Sequence, residues 1–153
     1  MKKIFSAILL SLCTLAFSHG AVAASDKGSA EEAVALVKKA AAYIKANGKE
    51  KAFAEFNNPS GSFKDRDLYI FAMDMNGVMN AHGVNAKLIG KNMLAIKDVD
   101  DKQFIKTFIE VANSKGKGWV DYKWPNPTSK AIEAKSTYIE KADDLVIGCG
   151  IYK

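Results

Sequence analysis

From Ser29 the apolar positions recur at helical spacing: Ala33, Leu36, Val37, Ala40, Ala41, Tyr43 and Ile44, with Lys38, Lys39 and Lys45 on the other side. Ser29 is a good N-cap and Glu32 completes a capping box, so a helix starts here. Asn47-Gly48 ends it. A short second helix runs from Lys49 to about Phe56, and Asn57-Asn58-Pro59-Ser60-Gly61 breaks the chain. Leu68–Met73 is apolar on both faces and reads as a buried central strand. Asp74-Met75-Asn76-Gly77 reads as a hairpin turn, with Val78–His82 returning. Gly83–Lys97 reads as a loop with short apolar patches at Leu88-Ile89 and Met93-Leu94. A helix follows from Gln103 to Asn113, capped by Asp100 or Asp101, with Phe104, Ile105, Phe108, Ile109 and Ala112 as its buried stripe.

The period then changes to two. Val120, Tyr122 and Trp124 alternate with Trp119, Asp121 and Lys123. Pro125 and Pro127 stop this strand, Asn126 between them favours a tight turn, and the pattern returns in Lys135–Ile139. The last strand, Leu145–Tyr152, has unlike faces: Leu145, Ile147, Cys149 and Ile151 are bulky, while Gly148 and Gly150 clear space on the other. The expected architecture is one α+β domain, with about five antiparallel strands and helices on one side.

Composition changes the picture mainly at the N-terminus. Lys2 and Lys3, the apolar run Ile4–Phe17 and the small residues Ala21-Val22-Ala23 read as a signal peptide over residues 1–24, leaving one domain over 25–153. Its removal lowers the formal charge from +5 to +3 and leaves Cys149 and His82 as the last residues of their types. An internal disulfide is then excluded. The mild positive charge gives no reason to invoke nucleic acid, although it helps attract anions. One histidine makes no metal site, and no Cys-x-x-Cys-His run exists for haem, so no cofactor is expected. Asp74, Asn76 and Gly77 lack the spacing and terminal glutamate of a calcium loop.

Five segments in order, FKDRDLYIFAMDMNGVMNAH, KLIGKNM, GWVDYKWPNP, KSTYI and GCGIY, resemble the single Cache domain of bacterial extracytoplasmic sensors. The resemblance implies a PAS-like antiparallel sheet with a long N-terminal helix and further helices packed on it. It also implies a pocket for a small molecule, often a short carboxylate. With a cleavable leader and no second span after Tyr152, the chain is similar to the free-standing secreted members. The expected role is a periplasmic or secreted sensor acting in signal transduction or chemotaxis through a separate membrane partner. The chain is not expected to be an enzyme. A homodimer through the N-terminal helix is weighed against a solvated monomer. The alternative is a secreted interaction or structural domain whose pocket is filled by side chains.

Lys135 is the first candidate for the ligand contact, since an ammonium is a compact charge with three donors; the competing reading is a solvated surface lysine. Tyr122, Trp124 and Tyr138 can wall a pocket, or simply pack. Lys135 and Tyr138 are three apart, so a regular strand points them to opposite faces; both line one pocket only if a bulge intervenes or Lys135 lies before the regular strand. His82 at a strand end can contact an anion or act as a pH-sensitive group, or be satisfied by nearby backbone. Tyr69, on one strand face with Phe71 and Met73, can form the pocket floor, or core. Asn126 reads as shaping its turn. Cys149, between glycines, reads as a small buried hydrophobe.

Overall fold

The computed structural model describes residues 26–153, so the expected signal peptide lies outside the described residues. Helix α1, Ala30–Asn47, opens with the full capping box: Ser29 Oγ accepts from Glu32 N–H while the Glu32 carboxylate accepts from Ser29 N–H. Helix α2, Lys49–Phe56, follows at once. The sheet is built from β1 (Lys64–Asp65), β2 (Leu68–Asp74), β3 (Met79–His82), β4 (Lys117–Pro125), β5 (Ile132–Ala142) and β6 (Leu145–Tyr152), with α3 (Phe104–Lys115) between β3 and β4. It is antiparallel in the order β1-β2-β6-β5-β4, and β3 pairs with β2 beyond β1.

The helices do not share one side of the sheet. Alternation along β2 sends Leu68, Ile70 and Ala72 to one core, with Val37, Ala40 and Ile44 of α1 and Phe56 of α2. It sends Phe71 and Met73 to a second core, with Phe104, Ile105 and Phe108 of α3. A strand apolar on both faces needs cover on both, and α3 supplies the second layer. Burying an aliphatic or aromatic side chain of this size stabilises the fold by about 1.5–3 kcal/mol, so α3 is held by its stripe rather than by its ends.

Its N-terminus differs from expectation. Neither Asp100 nor Asp101 caps α3, and Gln103 at the cap position makes no side-chain capping bond. The organising carboxylate is Asp98, which accepts from the amides of Asp100, Lys102 and Lys123, each at 2.9 Å. It thereby ties the loop before α3 to β4. Asp101 instead takes a left-handed conformation, φ 62°, and pairs with Lys97. The segment from Gly83 to Lys97 also holds more structure than a bare loop. A 3-10 turn at Ala86–Leu88 is capped by Asn85, and Met93 is buried in the second core.

Candidate functional site

The face of the sheet that meets α3 carries the candidate group. The register sets Tyr122 opposite Lys135 and Lys135 opposite Tyr152, so these three side chains form a row across β4, β5 and β6. In the next row Gly150 lies opposite Thr137. Its missing side chain decides the conformation of Lys135: a Cβ on Gly150 would stand 2.2 Å from Lys135 Cε and 2.3 Å from Thr137 Oγ1. The lysine therefore lies across Gly150 and brings its ammonium to β2. There Nζ donates to Tyr69 Oη at 2.8 Å and to Tyr152 Oη at 3.1 Å. It also sits 4.1 Å and 4.5 Å from the centroids of the same two rings. Tyr152 Oη donates onward to the carbonyl of Pro125 at 2.8 Å.

Lys135 is 1 % exposed, so it is no surface lysine. Its close partners are neutral hydroxyls and ring faces, and no ion pair reaches it among the described residues. Burial accordingly pushes its pKa down to about 7, with Cys149 and Asp67 opposing. Burial pushes Cys149 up to about 12, away from any nucleophilic state at neutral pH. Tyr69, Tyr122 and Tyr152 are likewise raised, chiefly by burial.

Tyr69 and Tyr122 border a cavity of ≈ 20 Å³ together with Phe104 and Phe108 of α3, Met93 and Leu88. That is room for about one water molecule. Tyr122 stacks on Phe104 at 4.1 Å and 12°, and its hydroxyl lies 3.0 Å from Thr137 Oγ1. Trp124 stands edge-on to Phe104 at 5.3 Å. His82 and Trp124 border both this cavity and an open groove of ≈ 240 Å³ that includes Asn85, Asn126, Pro127 and Lys130. The groove thus ends where the buried space begins.

His82 Nδ1 accepts from the backbone amide of Asn85 at 3.1 Å, and the backbone N–H of His82 donates to Asn57 Oδ1 at 2.8 Å. Burial, helped by Lys135, pushes its pKa down to about 3. The ring is neutral at ordinary pH, with its proton on Nε2, so the site's pH-sensitive group is Lys135 rather than His82. Asn126 is occupied by its turn. Its Oδ1 accepts from Thr128 N–H at 2.8 Å and its Nδ2 donates to Glu133 at 3.0 Å.

The structure thus brings together Lys135, Tyr69, Tyr122, Trp124 and His82. It separates Tyr138 from them. That side chain lies on the opposite face, in the α1 core, 5.5 Å from the Trp119 ring, and its hydroxyl donates to Glu140. No bulge intervenes between Lys135 and Tyr138 in either pairing of β5, so strand parity holds. Sequence reasoning missed Tyr152, Met93 and Leu88. The first had a signal in Gly150 two residues earlier; the others come from a segment without periodicity.

The Single Cache domain 2 family profile matches residues 19–153. A methyl-accepting chemotaxis protein of Pseudomonas putida, McpP, is 32% identical over 90 residues, covering 58% of this chain and 16% of its own length. The chain therefore spans only a small part of that relative. A solved methyl-accepting chemotaxis protein from Vibrio parahaemolyticus superposes with a TM-score of 0.70 at 27% identity, covering 80% of this chain and 86% of its own. A Cache chemosensory domain solved for its recognition of carboxylic acids gives a TM-score of 0.68 at 25% identity, covering 80% and 91%. By name these relatives are two methyl-accepting chemotaxis proteins and a Cache chemosensory domain. Among the described residues no helix is long and apolar enough to cross a membrane. The match over nearly the whole described fold places the chain in the single Cache domain family.

Proposed function

We propose that this chain is a periplasmic sensor domain for a short organic carboxylate, working in signal transduction or chemotaxis through a separate membrane-bound partner. The observation that carries the reading is the buried Lys135 ammonium, held by two tyrosine hydroxyls and without an ion pair among the described residues. A buried charge is costly unless paired, and a carboxylate would supply the missing partner. Tyr69 and Tyr152 orient the ammonium. Tyr122 and Trp124 supply apolar walls, and neutral His82 offers Nε2–H to a carboxylate oxygen at the groove end. The carboxylic-acid-recognising Cache domain among the structural neighbours supports the ligand class. Side chains bordering the ≈ 20 Å³ cavity must shift for any carboxylate to enter, and Trp124 and Leu88 are the half-buried members of a lining that is otherwise buried.

That small cavity also favours a second reading, an interaction domain whose pocket is filled by its own side chains. Thermal unfolding separates the two. The domain is refolded to remove carried-over ligand and melted with a panel of carboxylates, amino acids and amines. A ligand at a hundred times its Kd adds about 2.7 kcal/mol, which moves the midpoint by roughly 10 °C for a domain of this size. A shift with carboxylates that is lost in Lys135→Ala supports the sensor reading. No shift across the panel overturns it.

A further inference from the structure

Strand β4 ends the sheet and pairs only with β5 among the described residues. Backbone groups alternate between the two edges of a strand, so one parity of β4 points away from β5. Two bonds at its ends fix which. Just before β4 the Gly116 carbonyl accepts from Lys141 N–H of β5 at 2.7 Å, and just after it Asn126 N–H donates to the Ala131 carbonyl at 2.8 Å. The register between them is unbroken, so even residues face β5 and odd residues face outward. The C-terminal half of this outer edge is already engaged: Asp98 accepts from Lys123 N–H at 2.9 Å, and the Lys102 ammonium donates to the Asp121 carbonyl. Neither contact covers Lys117 or Trp119.

The odd side chains share the face that α1 packs on. Trp119 lies there with its ring 5.5 Å from Tyr138, and it is 40 % exposed. It borders a groove of ≈ 440 Å³ with Ala30, Val34 and Ala35 of α1. Lys117 and Asp121 flank it two residues away on either side, and both are exposed. Lys117 has no ion pair among the described residues, while Asp121 pairs with Lys153 at 3.0 Å and stays open to solvent.

This spacing is complementary to itself. When two β4 edges pair antiparallel about a two-fold axis at Trp119, Lys117 of each copy faces Asp121 of the other, and Trp119 faces Trp119. Trp119 then exchanges both of its outward backbone bonds with its own copy, and Lys117 and Asp121 exchange theirs with each other. The length also fits. Strand β4 starts at Lys117, directly after the left-handed Gly116 at φ 74°, so the second strand begins opposite Asp121, before the amide of Lys123 that Asp98 holds. A register shifted by two residues sets Lys117 against Lys123 and loses both charge pairs. We propose that a second copy of this chain docks on the open edge of β4 at Lys117–Asp121, joining the two sheets into one. The interface is isologous, uses the sheet edge rather than α1, and does not depend on the carboxylate reading.

Sedimentation equilibrium of the ligand-free domain over a range of concentrations reads the association. Lys117→Glu and Asp121→Lys each turn two facing pairs from attraction to repulsion, so each is expected to weaken it about tenfold. In an equal mixture the new side chain of each variant meets its opposite charge on the other, and association is expected to return. A folding defect in either variant cannot produce that recovery. Trp119→Cys is expected to form an intermolecular disulfide on mild oxidation, because residues facing across a hydrogen-bonded antiparallel pair have Cα atoms about 5.5 Å apart. Lys117→Cys, about 14 Å from its own copy along the strand, is not. The native Cys149 is buried and does not compete. A protein that stays monomeric at every concentration overturns the proposal. So does a dimer that both charge variants leave unchanged, or one that the mixture does not restore. Crosslinking of Ala35→Cys with none in Trp119→Cys would place the dimer on α1 and overturns it as well. If Asp121→Lys fails to fold, Lys117→Glu and the cysteine variants still decide.

Discussion

Lys135 should make the ligand-free domain less stable than it would be with a methionine in its place. In an unfolded chain its pKa is about 10.5, and in the fold burial lowers it to about 7. Each pKa unit corresponds to about 1.36 kcal/mol, so keeping the ammonium charged inside the fold costs roughly 5 kcal/mol. The sign follows from proton counts. Between pH 7 and 10.5 the unfolded chain holds the proton and the fold does not, so stability rises with pH through that window. Below pH 7 both hold it, and the full cost stands. Methionine matches the lysine stem in length and removes the cost, but it forfeits the bonds to Tyr69 and Tyr152, worth about 1 kcal/mol each. The expected gain for Lys135→Met is therefore roughly 3 kcal/mol at pH 6, shrinking towards zero by pH 9. Urea denaturation of refolded, ligand-free protein at both pH values measures it, and the wild-type minus variant difference cancels the titrating groups that do not interact with Lys135. If Lys135→Met destabilises equally at both pH values, the ammonium is not desolvated as the structure has it, and the case for a charge awaiting an anion falls with it.

Carboxylate affinity measured by calorimetry should be constant below pH 7 and fall about tenfold per unit above it, because binding then requires Lys135 to take up a proton. A pH dependence abolished by His82→Gln would instead point back to His82. Gly150→Ala places a methyl group 2.2 Å from Lys135 Cε and should cost about 1–3 kcal/mol in urea while weakening carboxylate binding; unchanged affinity would refute the role given to that gap. Tyr138→Phe removes a hydroxyl on the far face of β5 and should leave affinity unchanged, with at most about 1 kcal/mol lost in urea through the Glu140 bond. A tenfold loss of affinity there would contradict the separation of Tyr138 from Lys135.

What the sequence determined by itself is local in physical origin. The start of α1 is written in Ser29 and Glu32, because a capping box is closed within four residues. Strand parity set Lys135 and Tyr138 in tension as members of one pocket, and the unbroken pairing of β5 resolves it by placing them on opposite faces. The five ordered segments were specific enough to indicate the family, and the family profile agrees. Only the tertiary structure decided what depends on register and on layers distant in sequence. Nothing near Asp98 says that its carboxylate, rather than Asp100 or Asp101, organises the approach to α3, since one of its three amides belongs to Lys123 on another strand. That α3 covers the opposite face from α1 follows from the sheet order. The state of Lys135 is the clearest case. A lysine is read as exposed by default, because burying an ammonium is costly. Here a glycine on β6 clears its path, and tyrosines on β2 and β6 receive it. The antiparallel pairing of β2, β6 and β5 brings those partners together across 66 residues of chain. A contact of that range leaves no periodicity to read, whereas its chemistry, a buried cation held by two tyrosine hydroxyls, exists only once the sheet has formed.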